Sequence, residues 1–456
     1  MSDPARPNII FFFTDQQRWD SMGLHGNPLD LTPNLDRLAR EGTFLKNMFS
    51  CQPVCGPARS CLQSGMFATR TGCHKNAIPL PASEHNLAEC FQRGGYETAY
   101  IGKWHLHDRE TIGPVPEEAR AGYQHWLASN VLEFTSDAYQ TTLYNEQNEA
   151  EELPGYRVDA LTDAAIRYVS QPKDQPYFLF LSYIEPHHQN HLDDYPPPIG
   201  YRERYTGRYT PPDLAALGGS SQQHLAGYWG MIKRLDEALG RLVDALASRG
   251  ELENTIILFT SDHGCHFKTR NGEYKRSCHD ASIRLPGMIT GPGFTGGGEV
   301  RELVSLIDVP ATLLEAAGLP VPDHYDGQPL GPLVRREDST WRDHHFTQIS
   351  ESHVGRSVRT HRWKYAVAAP IPEGQNGDSR PWAEQMEEAF LYDLQCDPYE
   401  LKNLIKSPAH APVADRLRAL LLADMEAAGE SLPEIIQADR TGGKGQRLVS
   451  DAEVVG

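Results

Sequence analysis

The continuous apolar run from Asn8 to Phe13 (Asn-Ile-Ile-Phe-Phe-Phe) is the sequence feature that most limits how this chain can fold. A half-buried strand alternates apolar and polar residues, whereas this run has no polar face after Asn8. The run therefore predicts a β-strand covered on both faces, as in a parallel sheet between helices. Because it ends at Thr14-Asp15-Gln16-Gln17, the strand delivers polar side chains into the following loop.

Strand and helix patterns alternate through the first two thirds of the chain. Further strands are predicted at 96–101, 177–184 and 255–260, and helices at 32–42, 158–169, 222–248 and 305–317. This alternation predicts an α/β fold with a mostly parallel central sheet sandwiched by helices. Ligands in such sheets gather beyond the carboxyl ends of the strands. Four polar pairs fall at predicted strand ends: Asp15-Gln16, Lys103 with His105, His187-His188 and Asp262-His263.

The last third of the chain has a different pattern. A stretch rich in glycine and proline, 318–332, precedes short strand-like segments and a helix near 412–428. We expect residues 1–335 to form the larger α/β domain, residues 336–440 a smaller C-terminal α+β domain with an antiparallel sheet, and residues 441–456 a surface tail. Two cores are expected because a single core stops growing near about 250–300 residues.

The composition excludes several classes of protein. Lys and Arg total 43 against 61 Asp and Glu, a net charge of −18, so we expect no nucleic acid partner and no membrane partner. No apolar run approaches the roughly 20 residues of a membrane span, and no secretory leader is recognisable. The sequence as given predicts a cytoplasmic protein, or a periplasmic or secreted one if a leader lies outside it. The eight scattered cysteines are expected to be mostly reduced and structural.

Asp15 and the Asp262-His263 pair follow two separate predicted strands, whose ends a sheet can bring to one point. Carboxylate oxygens with an amide and an imidazole beside them favour a divalent cation such as calcium, magnesium or manganese. A lone Asp at a strand end is more often a turn former. The metal prediction therefore depends on the two strand ends meeting.

The segment Cys55-Gly-Pro-Ala-Arg59 begins a predicted short helix, and its proline suits a first turn. Arg59 lies one turn after Cys55, so its guanidinium can reach that side chain or an anion bound there, and we expect it to take part in catalysis. Cys51 and Cys61 flank the segment without a paired Cys-x-x-Cys, which disfavours a zinc site.

In their order along the chain, these motifs resemble those of the type I, formylglycine-dependent sulfatases of the alkaline phosphatase superfamily. The resemblance covers almost the whole chain and rests on Cys55-x-Pro57-x-Arg59, Gly102-Lys103-Trp104-His105, Pro186-His187, Thr260 to Gly264, Lys275, and Leu391 to Leu394 followed by Asp397-Pro398. It implies an alkaline-phosphatase-like fold and a sulfuric ester hydrolase. It also implies that a formylglycine-generating enzyme converts Cys55 to formylglycine during maturation.

The resemblance also implies a metal site. Its ligands would be Asp15, Gln16, the converted Cys55, Asp262 and His263, around one divalent cation, with Ca²⁺ expected first and Mn²⁺ or Mg²⁺ as alternatives. Many sulfatases have a second Asp where Gln16 stands and an Asn where His263 stands. The pairing found in this chain is similar to that of phosphonate monoester hydrolases, close relatives that use the same nucleophile.

The other catalytic residues follow from the resemblance and from position. Lys103 and His105 lie two apart on an extended segment and point to the same side. Lys103 is expected to bind a sulfate oxygen, and His105 to take a proton from the modified side chain. His187 is expected to be the general acid, with His188 as the alternative, and Lys275 to stabilise charge. Substrate-binding side chains are expected at Asn76, His188, His279 and Arg284.

The predicted function is hydrolysis of a sulfate monoester, of a carbohydrate or of an aryl or alkyl alcohol, by S–O cleavage through a formylglycine-sulfate intermediate. A first alternative is a phosphonate monoester or phosphodiester hydrolase on the same scaffold, favoured by Gln16 and His263 and opposed by Lys103 and His105. A second alternative is a non-catalytic binding protein in which Cys55 stays a thiol. The expected small-molecule partner is a saccharide or other sulfate ester.

Overall fold

A computed structural model describes residues 6–108, 111–337, 340–441 and 447–455 of the chain. Within these ranges, eleven strands form one large sheet, in the order β11-β2-β10-β8-β1-β7-β3-β4-β5-β6, with β9 paired to β2. The strands are β1 Asn8–Thr14, β2 Thr43–Phe49, β3 Glu97–Lys103, β4 His125–Ser129, β5 Thr141–Tyr144, β6 Ala150–Leu153, β7 Tyr177–Ser182, β8 Thr255–Ser261, β9 Arg284–Leu285, β10 Met288–Thr290 and β11 Gly298–Ser305.

The centre of this sheet is parallel, as the sequence predicts. β1 lies between β7 and β8, with Phe12 opposite Leu181 on one side and Phe259 on the other, and both pairings are parallel. β3 continues the parallel set beside β7, and β4 beside β3. Antiparallel strands lie toward the two edges of the sheet. β10 is antiparallel on one side, and β5 and β6 are antiparallel on the other.

Helices cover both faces of the large sheet. In the order of the chain they are α1 Pro33–Glu41, α2 Cys55–Ser64, α3 Ala68–Thr71, α4 Leu87–Arg93, α5 Leu132–Thr135, α6 Arg157–Ser170, α7 Tyr201–Tyr205, α8 Pro212–Ala216, α9 Ser221–Ser248, α10 Asp280–Ile283, α11 Asp308–Ala316 and α12 Gly331–Val334. Ile10 and Phe12 of β1 pack in a core with α1, α6 and α9. Phe11 and Phe13 pack in a second core with α2, α4 and α11. Successive side chains of one strand therefore serve opposite cores, which explains why the run has no polar face.

A second, smaller sheet lies C-terminal to the first. Its order is β12-β13-β14-β15-β16, antiparallel from β12 to β15, with β16 parallel to β15. The elements are β12 His344–Ile349, β13 Gly355–Thr360, β14 Trp363–Ala368, β15 Gln385–Asp393, α13 Ala411–Ala427, β16 Glu434–Ile436 and α14 Asp451–Val454. α14 lies within the predicted surface tail, and its Val454 is buried against the core of this sheet. The division into domains at residue 335 stays a prediction.

The helix predicted at 305–317 begins later, at Asp308. Ser305 instead ends β11, where it pairs with Phe49 of β2. The Asp308 carboxylate accepts a hydrogen bond of 2.8 Å from the Ser305 backbone N–H, which joins the end of β11 to the first residue of the helix.

Two expectations from composition can be compared with the structure. All eight cysteines are free thiols, and seven of them are buried. In the described ranges, we find no helix with the length and apolar character that a bilayer crossing requires.

Candidate active site

The polar pairs predicted at strand ends meet at one edge of the large sheet. Asp15 follows β1, Asp262 follows β8 and Lys103 ends β3. β1 and β8 are direct neighbours, and β7 separates β1 from β3. Because these strands are parallel, their carboxyl ends share one edge, where all three side chains are fully buried.

Cys55 is the first residue of α2 and points into this cluster. Its Sγ accepts a 2.8 Å hydrogen bond from Lys275 Nζ and lies 3.4 Å from Asp15 Oδ1 and 3.3 Å from His263 Nε2. Burial and Asp15 act to raise the pKa of the thiol, but Lys103, Lys275 and His263 outweigh them and lower it to about 7. The start of a helix adds partial positive charge from unpaired N–H groups. The surroundings of Cys55 therefore favour an anion at this position.

A set of potential metal ligands surrounds the same point. One ligand atom each from Asp15, Cys55, Asp262 and His263 lies within 4.8 Å of the others, and all four residues are buried. Asp262 Oδ2 and Gln16 Oε1 are buried without a hydrogen-bond partner. Leaving such an atom unpaired costs about 1–3 kcal/mol, which a bound cation would relieve. The oxygen-rich donors fit a hard divalent cation.

The surroundings of the two aspartates shift their pKa values in opposite directions. Burial and the Asp15 carboxylate raise the pKa of Asp262 to about 7. Burial also acts to raise the pKa of Asp15, but Lys103 and other nearby cations hold it well below its usual range. Two carboxylates so close repel each other, and a divalent cation between them would remove this repulsion.

Gln16 is held by a residue that the sequence analysis missed. Its Nε2 donates a 2.8 Å hydrogen bond to the Tyr195 hydroxyl, and its backbone N–H donates to Asp262 Oδ1 at 3.0 Å. With Nε2 engaged, Oε1 is the atom left for a cation. Tyr195 lies in a loop 179 residues away and carries no motif, so no local signal identifies it.

Two cationic side chains bind the second oxygen of the Asp15 carboxylate, Oδ2. Arg59 Nη2 lies 3.1 Å and Lys103 Nζ 2.8 Å from Asp15 Oδ2. Arg59 also donates to the Lys103 carbonyl oxygen and to Ser182 Oγ, at 2.8 and 2.7 Å. These bonds fix Arg59 in place one turn from Cys55. Its contacts are with the framework of the site, and it is not free to swing toward solvent.

Lys103 has a second carboxylate partner, Glu133 of α5, which the sequence analysis also missed. Glu133 Oε1 lies 3.2 Å from Lys103 Nζ. Burial acts to raise the pKa of Glu133, but Lys103 and His105 lower it to about 2, so the group stays ionised. In the sequence, Glu133 differs from its neighbours only as the single charged residue of the apolar segment Val131-Leu132-Glu133-Phe134.

The histidines have distinct surroundings. His187 Nδ1 lies 2.6 Å from the His188 carbonyl oxygen, and His187 Nε2 lies 3.2 Å from Lys275 Nζ. Since a protonated lysine can only donate, Nε2 accepts and His187 is neutral with its proton on Nδ1. The His188 ring packs against Tyr274, with ring centroids 4.5 Å apart and the ring planes tilted by 38°. Burial and Lys103 lower the pKa of His105 to about 4, and its Nδ1 is buried without a partner.

The predicted substrate-binding residues divide into two groups. Asn76 lies beside the site, where its Oδ1 accepts a 2.8 Å hydrogen bond from the Gly56 N–H. His279 Nε2 instead lies 3.1 Å from the hydroxyl oxygen of Tyr392. Arg284 lies over the Trp19 ring and donates to the Lys46 carbonyl oxygen. The contacts of His279 and Arg284 are thus with framework residues, and their role in substrate binding stays a prediction.

A cavity of about 760 Å³ opens beside His105 and Glu133. Its walls come from the loops after β3 and β4, from the segment after α3, and from the second sheet. The lining residues are Lys75, Asn76, Ala77, His105, His107, Asp108, Ile112, Asn130, Val131, Glu133, Phe134, Asn190, Arg276, Glu351 and Ser379. A volume of this size is typical of small-molecule sites.

Family models match nearly all of the chain. Residues 7–319 match the model described as Sulfatase. Residues 272–427 match the model described as N-sulphoglucosamine sulphohydrolase, C-terminal. The first model thus covers most of the large sheet and every polar pair described above.

Curated proteins are similar over most of their length. The Ulvan-active sulfatase of Formosa agariphila is 29% identical over 449 residues, covering 94% of this chain and 83% of that protein. The N-acetylglucosamine-6-O-sulfatase of Bacteroides thetaiotaomicron is 26% identical over 499 residues, covering 92% and 86%.

Solved structures share the fold. BT4656, solved in complex with its substrate D-glucosamine-2-N,6-O-disulfate, superposes with a TM-score of 0.76 at 23% identity, covering 94% of this chain and 99% of that one. The phosphonate monoester hydrolase of Agrobacterium radiobacter superposes with a TM-score of 0.72 at 23% identity, covering 93% and 96%. The alkaline-phosphatase-like architecture expected from the sequence is thereby confirmed.

Proposed function

Since the chain belongs to the sulfatase family and is a sulfate ester hydrolase, we propose that it cleaves the S–O bond of a sulfate monoester through a formylglycine formed from Cys55. The carrying observation is the position of Cys55 at the start of α2, with its Sγ 2.8 Å from Lys275 Nζ and 3.4 Å from Asp15 Oδ1. A formylglycine-generating enzyme is the maturation partner that this proposal requires.

The neighbours of Cys55 favour an oxygen over a sulfur at this position. A thiolate is a soft ligand, poorly matched to the hard, oxygen-seeking cation that the surrounding carboxylates would hold. The hydrated aldehyde of formylglycine presents two hydroxyl oxygens instead. One oxygen can attack the sulfur atom, and the other remains available to restore the aldehyde afterwards.

We assign the cation to Asp15, Gln16, Asp262 and His263, with Ca²⁺ as the first choice. When bound, it would supply positive charge that favours the ionised form of a hydroxyl and stabilises negative charge on sulfate oxygens. Gln16 contributes a neutral amide oxygen where many sulfatases have a carboxylate, so we expect weaker cation binding than in those enzymes. Unpaired Gln16 Oε1 and Asp262 Oδ2 support this assignment.

The chain's own side chains account for the proton transfers to the alcohol and from the second hydroxyl. In the first step, one diol hydroxyl of residue 55 has already lost its proton to solvent, and its oxygen bonds to sulfur while the bond from sulfur to the alcohol oxygen breaks. The departing oxygen takes a proton from the Lys275–His187 pair, whose nitrogens lie 3.2 Å apart. Because His187 contacts Lys275, it is favoured over His188 as the general acid.

In the second step, the other hydroxyl of the diol loses its proton, and His105 accepts it. The carbon–oxygen bond to sulfate then breaks, sulfate leaves, and the aldehyde forms again. Addition of water restores the diol. Arg59 and Lys103 remain paired with Asp15 throughout and keep that carboxylate ionised.

One specific observation supports the alternative function, that of a phosphonate monoester hydrolase. Gln16 and His263 stand where this chain departs from many sulfatases, and the fold is shared with the solved phosphonate monoester hydrolase. Lys103 and His105 favour the sulfatase assignment. The two functions differ in the atom attacked, sulfur or phosphorus, and a direct rate comparison separates them.

The test uses protein coexpressed with a formylglycine-generating enzyme, with Cys55→Ser as the control. Mass spectrometry of the peptide containing residue 55 should show the loss of mass expected for formylglycine. The converted protein should hydrolyse 4-nitrophenyl sulfate faster than the corresponding aryl phosphonate monoester, and the control should hydrolyse neither. A phosphonate preference of orders of magnitude would favour the alternative. An unconverted thiol without hydrolysis would favour a binding protein.

A further inference from the structure

Glu133 carries an unused hydrogen-bond acceptor at the wall of the cavity. Its Oε1 is bonded to Lys103, whereas its Oε2 is buried and has no partner. The side chain is 5% exposed. An ionised carboxylate only accepts hydrogen bonds, so the missing partner must be a donor.

The carboxylate is held firmly in this position. The Glu133 carbonyl oxygen accepts a 3.0 Å hydrogen bond from Gln189 Nε2, which ties α5 to the loop after β7. The Lys103 ammonium fixes the other end of the side chain. The Glu133 side chain, which lines the cavity, therefore has little freedom to turn Oε2 toward another donor.

The position of Glu133 relates the cavity to the reacting atoms. Lys103 Nζ alone separates its carboxylate from Asp15, at 3.2 Å and 2.8 Å, and Asp15 Oδ1 lies 3.4 Å from Cys55 Sγ. A substrate whose sulfur lies at residue 55 would have its alcohol part near Glu133. The neighbouring Phe134 and Ile112 line the same cavity and are 58% and 54% exposed, which offers an apolar face beside the acceptor.

We propose that Glu133 is a specificity-determining residue whose Oε2 accepts a hydrogen bond from a hydroxyl group next to the sulfated carbon of the substrate. The site then prefers esters of polyhydroxylated alcohols such as sugars, which combine hydroxyl donors with an apolar ring face, over aryl sulfates that lack a hydroxyl. This inference rests on the proposed sulfate ester hydrolysis at residue 55.

The first test compares Glu133→Gln and Glu133→Met with the unmutated, converted enzyme. The substrates are monosulfated glucose and galactose, their analogues lacking one hydroxyl next to the sulfated carbon, and 4-nitrophenyl sulfate. Glu133→Met should lower kcat/KM about 10- to 100-fold on the preferred hydroxylated sugar, as expected for a lost hydrogen bond to a charged group. On the matching deoxy sugar and on 4-nitrophenyl sulfate the loss should be several-fold smaller. Glu133→Gln should fall between the two.

The control is Glu388→Gln in the second sheet. Glu388 is likewise a buried carboxylate, with no exposed side-chain surface, and is paired with Arg418 and Arg440. This variant should lose stability without changing the ratio of rates between sugar and aryl substrates. The ratio therefore separates the hydroxyl contact from a general effect of neutralising a buried carboxylate.

Equal losses on all substrates would overturn the proposal, because Glu133 would then act only by holding Lys103. Rapid hydrolysis of 4-nitrophenyl sulfate with no turnover of any sugar would also overturn it. A converted enzyme inactive on every ester would instead count against the proposed function. In that case, calorimetric binding of the sulfated sugars to Cys55→Ser, with and without Glu133→Met, still tests the hydroxyl contact, and equal affinities would overturn it.

Discussion

Two buried ionic clusters of this protein share one geometry. In each, a lysine without exposed side-chain surface bridges two carboxylates, and an arginine binds one of the carboxylates at 3.1 Å. The Lys103 cluster, at the edge of the large sheet, consists of Asp15, Arg59, Lys103 and Glu133. The Lys364 cluster, between the second sheet and α10, consists of Asp280, Arg359, Lys364 and Glu400.

The clusters differ in the atoms that remain unpaired. In the Lys364 cluster, both oxygens of Asp280 are bonded to Arg359, and Glu400 Oε2 accepts a hydrogen bond from the Asp280 N–H. Glu400 Oε1 accepts no hydrogen bond, but it forms an ion pair with Lys364. In the Lys103 cluster, Glu133 Oε2 has neither a hydrogen bond nor an ion pair, and the residue lines a cavity. Buried charge alone therefore does not identify a site. Unpaired atoms next to a cavity distinguish the cluster that acts on a ligand from the cluster that joins two parts of the fold.

A cysteine beside each cluster shows the same contrast. The surrounding cations lower the pKa of Cys55 to about 7. Burial raises the pKa of Cys278 to about 12, although Lys364 opposes this change. Both thiols are buried, but three groups, Lys103, Lys275 and His263, lower the pKa of Cys55, whereas Lys364 and Arg270 do not offset the burial of Cys278.

The largest expected effect is that of removing the nucleophile. Cys55→Ala should lower kcat/KM for 4-nitrophenyl sulfate by at least about 10⁴-fold, because no oxygen nucleophile can form at residue 55. Cys278→Ala is the matched change beside the Lys364 cluster and should leave activity within a few-fold. Comparable losses in the two variants would break the distinction between the clusters.

The next effect comes from the two bridging lysines. Lys103→Met and Lys364→Met should each reduce the free energy of unfolding by about 3–5 kcal/mol, since each leaves two buried carboxylates without their shared cation. Only Lys103→Met should also lower kcat/KM per folded molecule, by about 10²–10³-fold. Chemical denaturation and steady-state rates give the two quantities. A similar activity loss in Lys364→Met would show that the second cluster also supports catalysis.

A bound cation should stabilise the protein through residues at the Lys103 cluster and not through the Lys364 cluster. Adding Ca²⁺ at about 100 times its Kd to chelator-treated protein should raise stability by about 2.7 kcal/mol and Tm by about 3 °C. Differential scanning fluorimetry should detect this shift in Asp280→Asn but not in Asp262→Asn. A shift that survives in Asp262→Asn would place the cation elsewhere.

The smallest effect concerns an ion pair in the second sheet. His344 Nε2 lies 3.0 Å from Asp424 Oδ1, and this hydrogen bond raises the pKa of His344 to about 9. Because the folded pKa exceeds that of the unfolded chain, the stabilisation is complete below about pH 6.5 and is lost as pH rises through about 9. His344 is partly exposed, so we expect about 1 kcal/mol.

Denaturation of His344→Gln and of the unmutated protein at pH 6 and pH 10 tests this sign. The difference in stability should be present at pH 6 and absent at pH 10, with catalytic rates per folded molecule unchanged at either pH. A difference that grows with pH would contradict the assignment.

Strongly apolar segments made much of the fold predictable. The predicted helix 222–248 corresponds to α9 (Ser221–Ser248), and the predicted strand 255–260 to β8 (Thr255–Ser261). β2 was missed because Thr-Phe-Leu-Lys-Asn-Met-Phe contains two polar residues at its centre. These are Lys46 and Asn47, which are partly exposed and bond to β11 by their side chains. Pairing partners, rather than local pattern, made this segment a strand.

The candidate site was predictable where it depends on strand ends. Asp15, Lys103 and Asp262 each directly follow or end a recognisable strand, and Cys55 carries a motif. Glu133 reaches the site from α5 and Tyr195 from the loop after β7, and only the packed structure shows their approach. The observed contacts of His279 and Arg284 are with framework residues, and their part in substrate binding stays a prediction.

The cavity is built from two parts of the fold. His105 follows β3 and Glu133 lies in α5, both beside the edge of the large sheet that holds the reacting groups, whereas Glu351 and Ser379 line the cavity from loops of the second sheet. Mutations in the loop of Ser379 can reshape the space for the alcohol, whereas Glu351 accepts a hydrogen bond from Asn76, which in turn holds the Gly56 N–H beside Cys55. The architecture thus allows selection to redirect such an enzyme to a new ester while its chemistry is inherited unchanged.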